Sequence, residues 1–307
     1  MPTACLPCCN LPWRRDVRAP VIPVDWPYRS ASRHIHCAPH LWHVQEIGTG
    51  PLLLLIHGAG GASHSFRHLI PLLCTDYRII AVDVPGQGFS LPGAQTRCGL
   101  DAIAQDIAAL ASQQVWEPVV IIGHSAGAAL ALRLAEIMPT KAVIGINAAL
   151  GGFEGVAGWL FPVMAKLLAR MPLVPQLFSK MAGTPRQVRQ LLTSTGSQID
   201  PAGEAQYLHL LRQPSHVAAT LAMMAQWDLD GLMRRLPQQA LPCLLITASG
   251  DRAVPPVVSE RAAAQMPNAK WIDIPRFGHL VHEEAADRVA SLIREFLQPL
   301  VSGGLPP

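Results

Sequence analysis

The fold is decided by one stretch of the sequence, VVIIGHSAGAALALRLAEI, which spans residues 119–137. Its branched apolar start, residues 119–122, favours a buried strand, and its Ala- and Leu-rich end, residues 126–137, favours a helix. The GHSAG segment between them matches the pattern G-x-S-x-G, in which a tight turn exposes a serine hydroxyl above a sheet. We therefore predict that Ser125 is a nucleophile at a strand-to-helix turn.

A serine nucleophile needs a histidine to remove its proton and an acid to orient that histidine, in the chain order Ser, acid, His for this motif. Asp251 follows a predicted strand at residues 243–247, and His279 follows another at residues 270–274. We predict that these two residues complete a catalytic triad. The alternatives are a turn residue for Asp251, a surface imidazole for His279, and His282 as the base.

The oxyanion formed during acyl transfer needs backbone N–H donors, one of them from the residue after the nucleophile. Ala126 is that residue. The segment HGAGG, residues 57–61, follows a predicted strand at residues 52–56. Its glycines allow close approach to a ligand, and we predict that Ala59 is the second donor. A phosphate loop is the alternative, but the pattern G-x-G-x-x-G is absent from it. We expect His57 to brace this loop.

Short apolar runs and helical patterns alternate along much of the chain, which is typical of a doubly wound parallel sheet covered on both faces. The predicted parallel strands are residues 52–56, 78–82, 119–122, 142–146, 243–247 and 270–274. The predicted helices are residues 65–73, 100–113, 126–137, 257–265 and 285–297. A hairpin around Ala38-Pro39-His40, within residues 32–47, is expected at a sheet edge.

The domain organisation follows from where this alternation stops. Residues 1–30 are rich in Pro, Cys and Arg, and we interpret them as an arm without chemistry. Residues 31–150 and 242–300 are predicted to form an α/β core. Residues 151–241 are rich in Leu and Met and are interrupted by prolines, so we expect a helical cap inserted between two strands of that core.

Composition narrows the function classes. Of the 307 residues, 50% are hydrophobic and 15% are charged, so the chain is not disordered. A net charge of +3 argues against nucleic acid as a partner. No apolar run is long enough for a membrane span, and no signal peptide is recognised, so we expect a cytoplasmic protein with reduced cysteines. Cysteines and histidines such as Cys5, Cys37 and His34 match no zinc spacing, and we expect no metal.

The cap carries an uneven charge distribution. Residues 155–199 contain no Asp or Glu, whereas they include Lys166, Arg170, Lys180, Arg186 and Arg189. Three interpretations stay open: a helix packed on the core, a pocket for a large apolar anion, and a surface that docks on an anionic membrane. The candidate substrate-binding residues are His124, Trp159, Met164, Arg170, Met223 and Trp227.

These motifs, taken in order, resemble the α/β-hydrolase fold. The likeness covers residues 42–150 and 241–297 and is carried by residues 57–61, 83–90 and 123–127 with Asp251 and His279. It implies an eight-stranded, mostly parallel sheet, a cap after the sixth strand and no cofactor. A serine at position 125 argues against the haloalkane dehalogenases, which have Asp there. Gln87 stands where the family often has His, and we expect it to alter only the turn.

A narrower resemblance rests on longer segments: residues 25–33, residues 41–45, residues 58–65 with His64, and Trp227-Asp228-Leu229. They resemble the magnesium-chelatase accessory proteins of bacteriochlorophyll biosynthesis. The likeness implies a role near the insertion of magnesium into protoporphyrin IX and a contact with magnesium chelatase.

Three functional hypotheses follow. The first is a serine hydrolase acting on an ester, thioester or amide of a bulky apolar substrate. The second is a module that binds a porphyrin or assists the chelatase without catalysis, and the third is a peripheral membrane factor. Because a pure binding role has no need of a complete triad, we predict hydrolase-type machinery within a tetrapyrrole pathway.

Overall fold

One eight-stranded sheet organises the chain. The computed structural model describes residues 18–93, 97–151 and 174–301. The strands are β1 (Ser32–Cys37), β2 (His40–Ile47), β3 (Leu52–Ile56), β4 (Arg78–Val82), β5 (Val120–His124), β6 (Ala142–Ile146), β7 (Cys243–Ala248) and β8 (Ala269–Ile274).

The strand order is β1-β2-β4-β3-β5-β6-β7-β8. Strand β2 pairs antiparallel with both β1 and β4, and the other neighbours pair parallel. The predicted hairpin at the sheet edge and the predicted parallel sheet are therefore confirmed. Because the carboxyl ends of parallel strands lie at one edge, the loops after β3, β5, β6, β7 and β8 meet there.

Helices cover both faces of the sheet. They are α1 (Ile70–Leu73), α2 (Leu100–Gln113), α3 (Ala126–Ala135), α4 (Val174–Ala182), α5 (Pro185–Ser194), α6 (Pro201–Leu211), α7 (Pro214–Gln226), α8 (Asp230–Arg235), α9 (Pro256–Gln265), α10 (Val281–Glu284) and α11 (Ala286–Val301). Leu54 and Ile56 of β3 face the apolar cluster that includes α2 and α3, whereas Leu53 and Leu55 face the cluster with α1 and α11. Alternate residues of one strand thus fill both cores.

Two predicted helices differ from the structure. The predicted helix at residues 65–73 is instead a 3₁₀ turn, Ser63–Phe66, followed by the short α1. The reason is Pro71, which lacks an N–H and would clash with the preceding helical turn if the helix ran through it. The predicted helix at residues 285–297 is preceded by the separate turn α10 and extends to Val301.

Helices α4–α8 lie between β6 and β7, where an insertion was expected. We call residues 174–241 the cap segment. Pro185 and Pro201 open their helices, directly after Thr184 and Asp200, whose side chains accept backbone N–H bonds of the first turn. These prolines therefore start helices. The predicted domain boundaries stay a prediction.

The described end of the N-terminal arm, residues 18–30, lies against the domain. Trp26 is buried with Phe89 of the core and Leu210 of the cap segment. The Tyr28 hydroxyl donates to the carbonyl oxygen of Arg67 at 2.8 Å. The rest of the arm, residues 1–17 with Cys5, lies outside the described residues.

Within the described ranges, no helix is long and apolar enough to cross a bilayer.

Candidate active site

Ser125 occupies the sharp turn between β5 and α3. Its backbone angles, φ 53° and ψ −118°, lie outside the ordinary regions for a residue with a side chain. The turn is tight enough that a Cβ on Gly123 would overlap the Gly127 backbone, and one on Gly127 would overlap the Ile56 carbonyl. The glycines of the motif are therefore required by close backbone approach, and Ser125 stands at the carboxyl end of the central strand, as predicted.

His279 and Asp251 are joined by a hydrogen bond. His279 Nδ1 lies 2.7 Å from Asp251 Oδ2, and the Asp251 side chain is fully buried. The other carboxylate oxygen accepts the N–H groups of Ala253 and Val254 at 2.7 and 2.9 Å. Because Nδ1 donates its hydrogen to the carboxylate, Nε2 of His279 is left with the lone pair that a base needs.

The backbone of His279 is anchored beside the serine turn. Its carbonyl oxygen accepts hydrogen bonds from His124 Nε2 at 2.9 Å and from Asn147 Nδ2 at 2.8 Å. The rings of His124 and His279 lie 4.7 Å apart, centroid to centroid. Burial holds the pKa of His124 well below its ordinary value, so its ring is neutral. The residue before Ser125 thus supports His279.

Asn147 was missed by the sequence analysis. It follows β6, has a φ of 44°, and is buried. Its Oδ1 accepts the Ala248 N–H at 2.9 Å, and its Nδ2 also donates to the Gly278 carbonyl at 3.1 Å. Asn147 therefore connects the end of β7 with the loop of His279. The available signal was a polar residue directly after a buried strand of a parallel sheet.

The loop at residues 57–61, here named the oxyanion loop, is held by its own residues. The Gly58 carbonyl accepts from His57 Nδ1 at 2.7 Å and from the Gly61 N–H at 3.0 Å. Since the C=O and N–H of a trans peptide point in opposite directions, the Ala59 N–H points away from these donors. His57 Nε2 accepts the Val84 N–H at 2.9 Å, which confirms that His57 braces the loop.

Ala59 is exposed on this loop, and Ala126 is the first residue of α3. The Ala126 N–H therefore belongs to the first turn of a helix, whose N–H groups have no intrahelical acceptor. Both predicted oxyanion donors are backbone groups at the same edge of the sheet as Ser125.

The turn at residues 83–90 makes hydrogen bonds to other parts of the chain. Asp83 is buried and accepts from His43 Nδ1 and from the Ser63 N–H, both at 2.7 Å. Despite its burial, hydrogen bonding and the positive potential of His43 hold the pKa of Asp83 well below its ordinary value. The expectation that Gln87 alters only the turn is wrong, because its side chain contacts Gly60 and the cap segment.

His282 was the alternative candidate for the catalytic base. Its ring is buried, 4.3 Å from the His124 ring and 5.4 Å from the Phe66 ring, centroid to centroid. Burial, with a smaller effect of His279 and Arg67, lowers the pKa of His282 to about 3. Because the hydrogen bond to Asp251 is made by His279, the geometry favours His279 as base.

The predicted substrate-binding residues are only partly described. Met223 is buried and Trp227 half-buried, and both pack against the apolar cluster of α2 and α3. His124 donates to the His279 carbonyl, as given above. Trp159, Met164 and Arg170 lie outside the described residues, and their roles stay predictions.

A surface pocket of about 540 Å³ lies between α5 and the loop of Asp251. Its lining includes Arg186, Arg189 and Arg252, with Thr193. The Arg252 N–H donates to the Thr195 carbonyl at 3.1 Å, which joins this loop to the end of α5. Two of the cationic residues noted in the cap therefore lie next to the residue that follows Asp251.

Comparisons with known proteins bear on this arrangement. The model of the alpha/beta hydrolase fold family matches residues 51–286. The Magnesium-chelatase 30 kDa subunit of Rhodobacter capsulatus is 46% identical over 285 residues, which cover 92% of this chain and 99% of that protein. A pimeloyl-(acyl-carrier protein) methyl ester esterase of Xanthomonas oryzae pv. oryzae is 31% identical over 271 residues, covering 83% and 98%.

Solved structures agree on the fold. The structure of the epoxide hydrolase CorEH without ligand superposes with a TM-score of 0.74 and 20% identity, covering 88% of this chain and 99% of that one. The predicted fold and both resemblances of the sequence analysis are confirmed by these comparisons.

Proposed function

We propose, because this chain belongs to the alpha/beta hydrolase fold family, that it is a serine hydrolase with the triad Ser125, His279 and Asp251. It is 46% identical to the Magnesium-chelatase 30 kDa subunit of Rhodobacter capsulatus, and we infer that it acts in support of magnesium insertion into protoporphyrin. The observation that carries the proposal is the 2.7 Å hydrogen bond between His279 and a buried Asp251, beside a strained serine turn.

The proposed reaction is acyl transfer. The Ser125 hydroxyl attacks the carbonyl carbon of an ester while His279 Nε2 takes its proton, and Asp251 stabilises the imidazolium that forms. The N–H groups of Ala59 and Ala126 receive the oxyanion. Collapse of this intermediate expels the alcohol, which takes the proton from His279, and water then hydrolyses the acyl-serine by the same steps.

Labelling with a fluorophosphonate probe tests this proposal. The probe phosphonylates only an activated serine, so we expect one label per chain on the peptide that contains Ser125. Ser125→Ala should take no label, whereas Ser291→Ala, which changes an exposed serine on α11, should label normally. A folded wild-type protein that stays unlabelled contradicts the proposal.

We propose further that the substrate carries an anionic group. Support comes from the surface pocket lined by Arg186 and Arg252, together with Arg189, whose guanidinium also pairs with Glu204 at 2.8 Å. Protoporphyrin IX, with its carboxylate tails, is the candidate that the resemblance to the magnesium-chelatase accessory proteins implies. Binding of protoporphyrin IX to the protein can be measured by quenching of the fluorescence of the porphyrin. Arg186→Gln with Arg252→Gln should weaken binding several-fold, and an unchanged affinity contradicts an anion site here.

A non-catalytic role is the second candidate, and the name of the 46% identical relative, a chelatase subunit, favours it. The two roles differ in their need for the serine. In cells that depend on this chain for magnesium-porphyrin formation, Ser125→Ala should behave like a deletion if the hydrolase proposal holds. Normal pigment formation with Ser125→Ala would favour the assisting role instead.

A further inference from the structure

The oxyanion loop is also held by hydrogen bonds from two side chains outside the loop, neither of which belongs to the proposed triad. The Gly60 N–H donates to Gln87 Oε1 at 2.7 Å, and the Gly60 carbonyl lies 3.1 Å from His216 Nε2. Gln87 belongs to the turn at residues 83–90, whereas His216 lies on α7 of the cap segment. Both polar groups of Gly60, the residue after Ala59, are thus held by separate elements.

The tautomer of His216 follows from its partners. The Gly88 N–H lies 3.1 Å from His216 Nδ1 and can only donate, so Nδ1 must accept. Nε2 therefore carries the hydrogen and donates it to the Gly60 carbonyl. Burial lowers the pKa of His216 to about 4, so this neutral form is the one present at neutral pH. One buried imidazole thus joins the cap segment, the oxyanion loop and the turn.

Helix α7 presents one continuous face to these loops. Met223, seven residues after His216 and so on the same side of the helix, lies with its sulfur 3.1 Å from Gln87 Nε2. Ala219, between them on that face, lies so close to Gly86 that a Cβ there would come within 2.5 Å of the Ala219 Cβ. The contact of α7 with the loops is therefore close along two helical turns.

These contacts orient the peptide planes on both sides of Ala59. The plane before it is oriented by the Gly58 carbonyl, which His57 and Gly61 hold. The two planes after it are oriented through the N–H and the carbonyl of Gly60. If Gln87 and His216 release Gly60, the loop is anchored on one side of Ala59 only.

We propose that Gln87 and His216 are positioning residues that hold the Ala59 N–H in the oxyanion hole, so that docking of α7 completes the site. The inference rests on the proposed hydrolase function. It assigns to the cap segment a part in the chemical step that is separate from binding substrate. A positioning error of this kind lowers kcat, because the oxyanion exists only in the transition state and the intermediate, whereas KM changes little.

The test compares hydrolysis of p-nitrophenyl butyrate by matched variants. His216→Phe keeps a buried ring without hydrogen bonds, and Gln87→Met keeps the length of the side chain without its amide. We expect each to lower kcat by about 10- to 100-fold, less than the roughly 10²- to 10³-fold loss of an entire donor, with KM within about twofold. His216→Gln, which can both donate and accept, should recover much of the rate.

Ser215→Ala is the matched control, because Ser215 is exposed and adjacent to His216 on α7. It should leave kcat and the melting temperature unchanged. Hydrogen exchange of a peptide spanning residues 57–66 gives a second measurement that needs no activity. We expect faster exchange in His216→Phe and Gln87→Met than in the wild type or Ser215→Ala.

The outcomes separate the two proposals. Folded His216→Phe and Gln87→Met proteins with wild-type kcat overturn the positioning role and leave the hydrolase function intact. A wild-type protein that neither hydrolyses the ester nor takes the fluorophosphonate overturns the hydrolase function. In that case exchange alone decides whether the loop is held: unchanged exchange in the variants overturns this inference, and faster exchange supports it.

Discussion

The core and the cap segment are held by different kinds of contact. In the core, every residue of β3, β5 and β6 is buried, and the serine turn is set by backbone packed on backbone. The cap segment packs apolar side chains such as Met223 and Leu232 on the core, and it is also joined to the core by polar side chains, such as His216 on Gly60 and Arg67 on Asp200. It also exposes large apolar side chains, with Leu177 58% and Met181 66% exposed.

This difference divides the candidate site. Ser125, His279 and Asp251 lie on loops of the core, and the Thr195 carbonyl of the cap segment accepts the N–H groups of Arg252 and His279 at 3.1 and 3.3 Å. The oxyanion loop is shared, since one side of it is held by the core and the other by α7. Changes in the core should therefore act on chemistry directly, whereas changes at the contact with the cap segment should act on stability, on pH dependence and on the oxyanion loop.

The largest expected effect is in the core. Asp251→Asn should lower kcat for p-nitrophenyl butyrate by roughly 10⁴-fold, because an amide favours the wrong tautomer of His279. Thermal stability should change little. Asp287→Asn, an exposed carboxylate at the start of α11, should retain full activity. A loss of less than about tenfold in Asp251→Asn would show that the triad is not used.

The next effect is at the junction between core and cap segment. Arg67 is buried and pairs with Glu283, whose carboxylate is fully buried, and with Asp200 of the cap segment. Arg67→Met leaves the Glu283 charge without its partner and should lower the free energy of unfolding by roughly 3–5 kcal/mol. Urea denaturation measures this, with the exposed Arg288→Met as control. A loss below about 1 kcal/mol would mean that the ion pair is not held as described.

The third effect is a pH dependence carried by His216. Above pH about 6.5 the imidazole is neutral in both the folded and the unfolded chain, so it contributes no pH dependence. Below that pH the imidazole is protonated in the unfolded chain, whereas in the folded chain it stays neutral down to about pH 4. Acidification from pH 7 to pH 4 should therefore cost the folded state about 3 kcal/mol through this residue.

The comparison for this effect is His216→Gln, which lacks the titrating ring. The free energy of unfolding of the wild type should fall more steeply with acid than that of the variant, so that the difference, wild type minus variant, decreases by about 3 kcal/mol between pH 7 and pH 4. Parallel curves would mean that His216 is not a buried neutral imidazole.

The smallest effect is at the described end of the arm. Tyr28→Phe removes the hydroxyl that donates to the Arg67 carbonyl and should lower the free energy of unfolding by about 1 kcal/mol. Val24→Ser changes a side chain that is 88% exposed and should have no measurable effect. Equal unfolding midpoints for the two variants would show that the hydrogen bond of Tyr28 adds nothing to the stability of the fold.

What the sequence could predict follows the same division. The strands, the serine turn and the order of Asp251 and His279 were predictable, because local periodicity and a motif with fixed context specify them. The contacts of Asn147, Gln87 and His216 were not, because their partners are distant in sequence. The His216 contact with Gly60, for example, spans 156 residues.

Pro71 is the opposite case, because it is a local signal in the sequence against the predicted helix at residues 65–73. Its missing N–H argues against a helix through residues 65–73, and the structure has a 3₁₀ turn there instead. The error did not affect the site, because this segment packs on the face of the sheet that carries α11.

The proposed reaction requires that Ser125 forms an acyl intermediate. Rapid mixing with excess p-nitrophenyl butyrate tests it most directly. We expect a burst of p-nitrophenolate, equivalent to one acylated serine per chain, that precedes the slower steady state and is absent from Ser125→Ala. A steady state without a burst in the wild type, at a rate that Ser125→Ala matches, would contradict the claim.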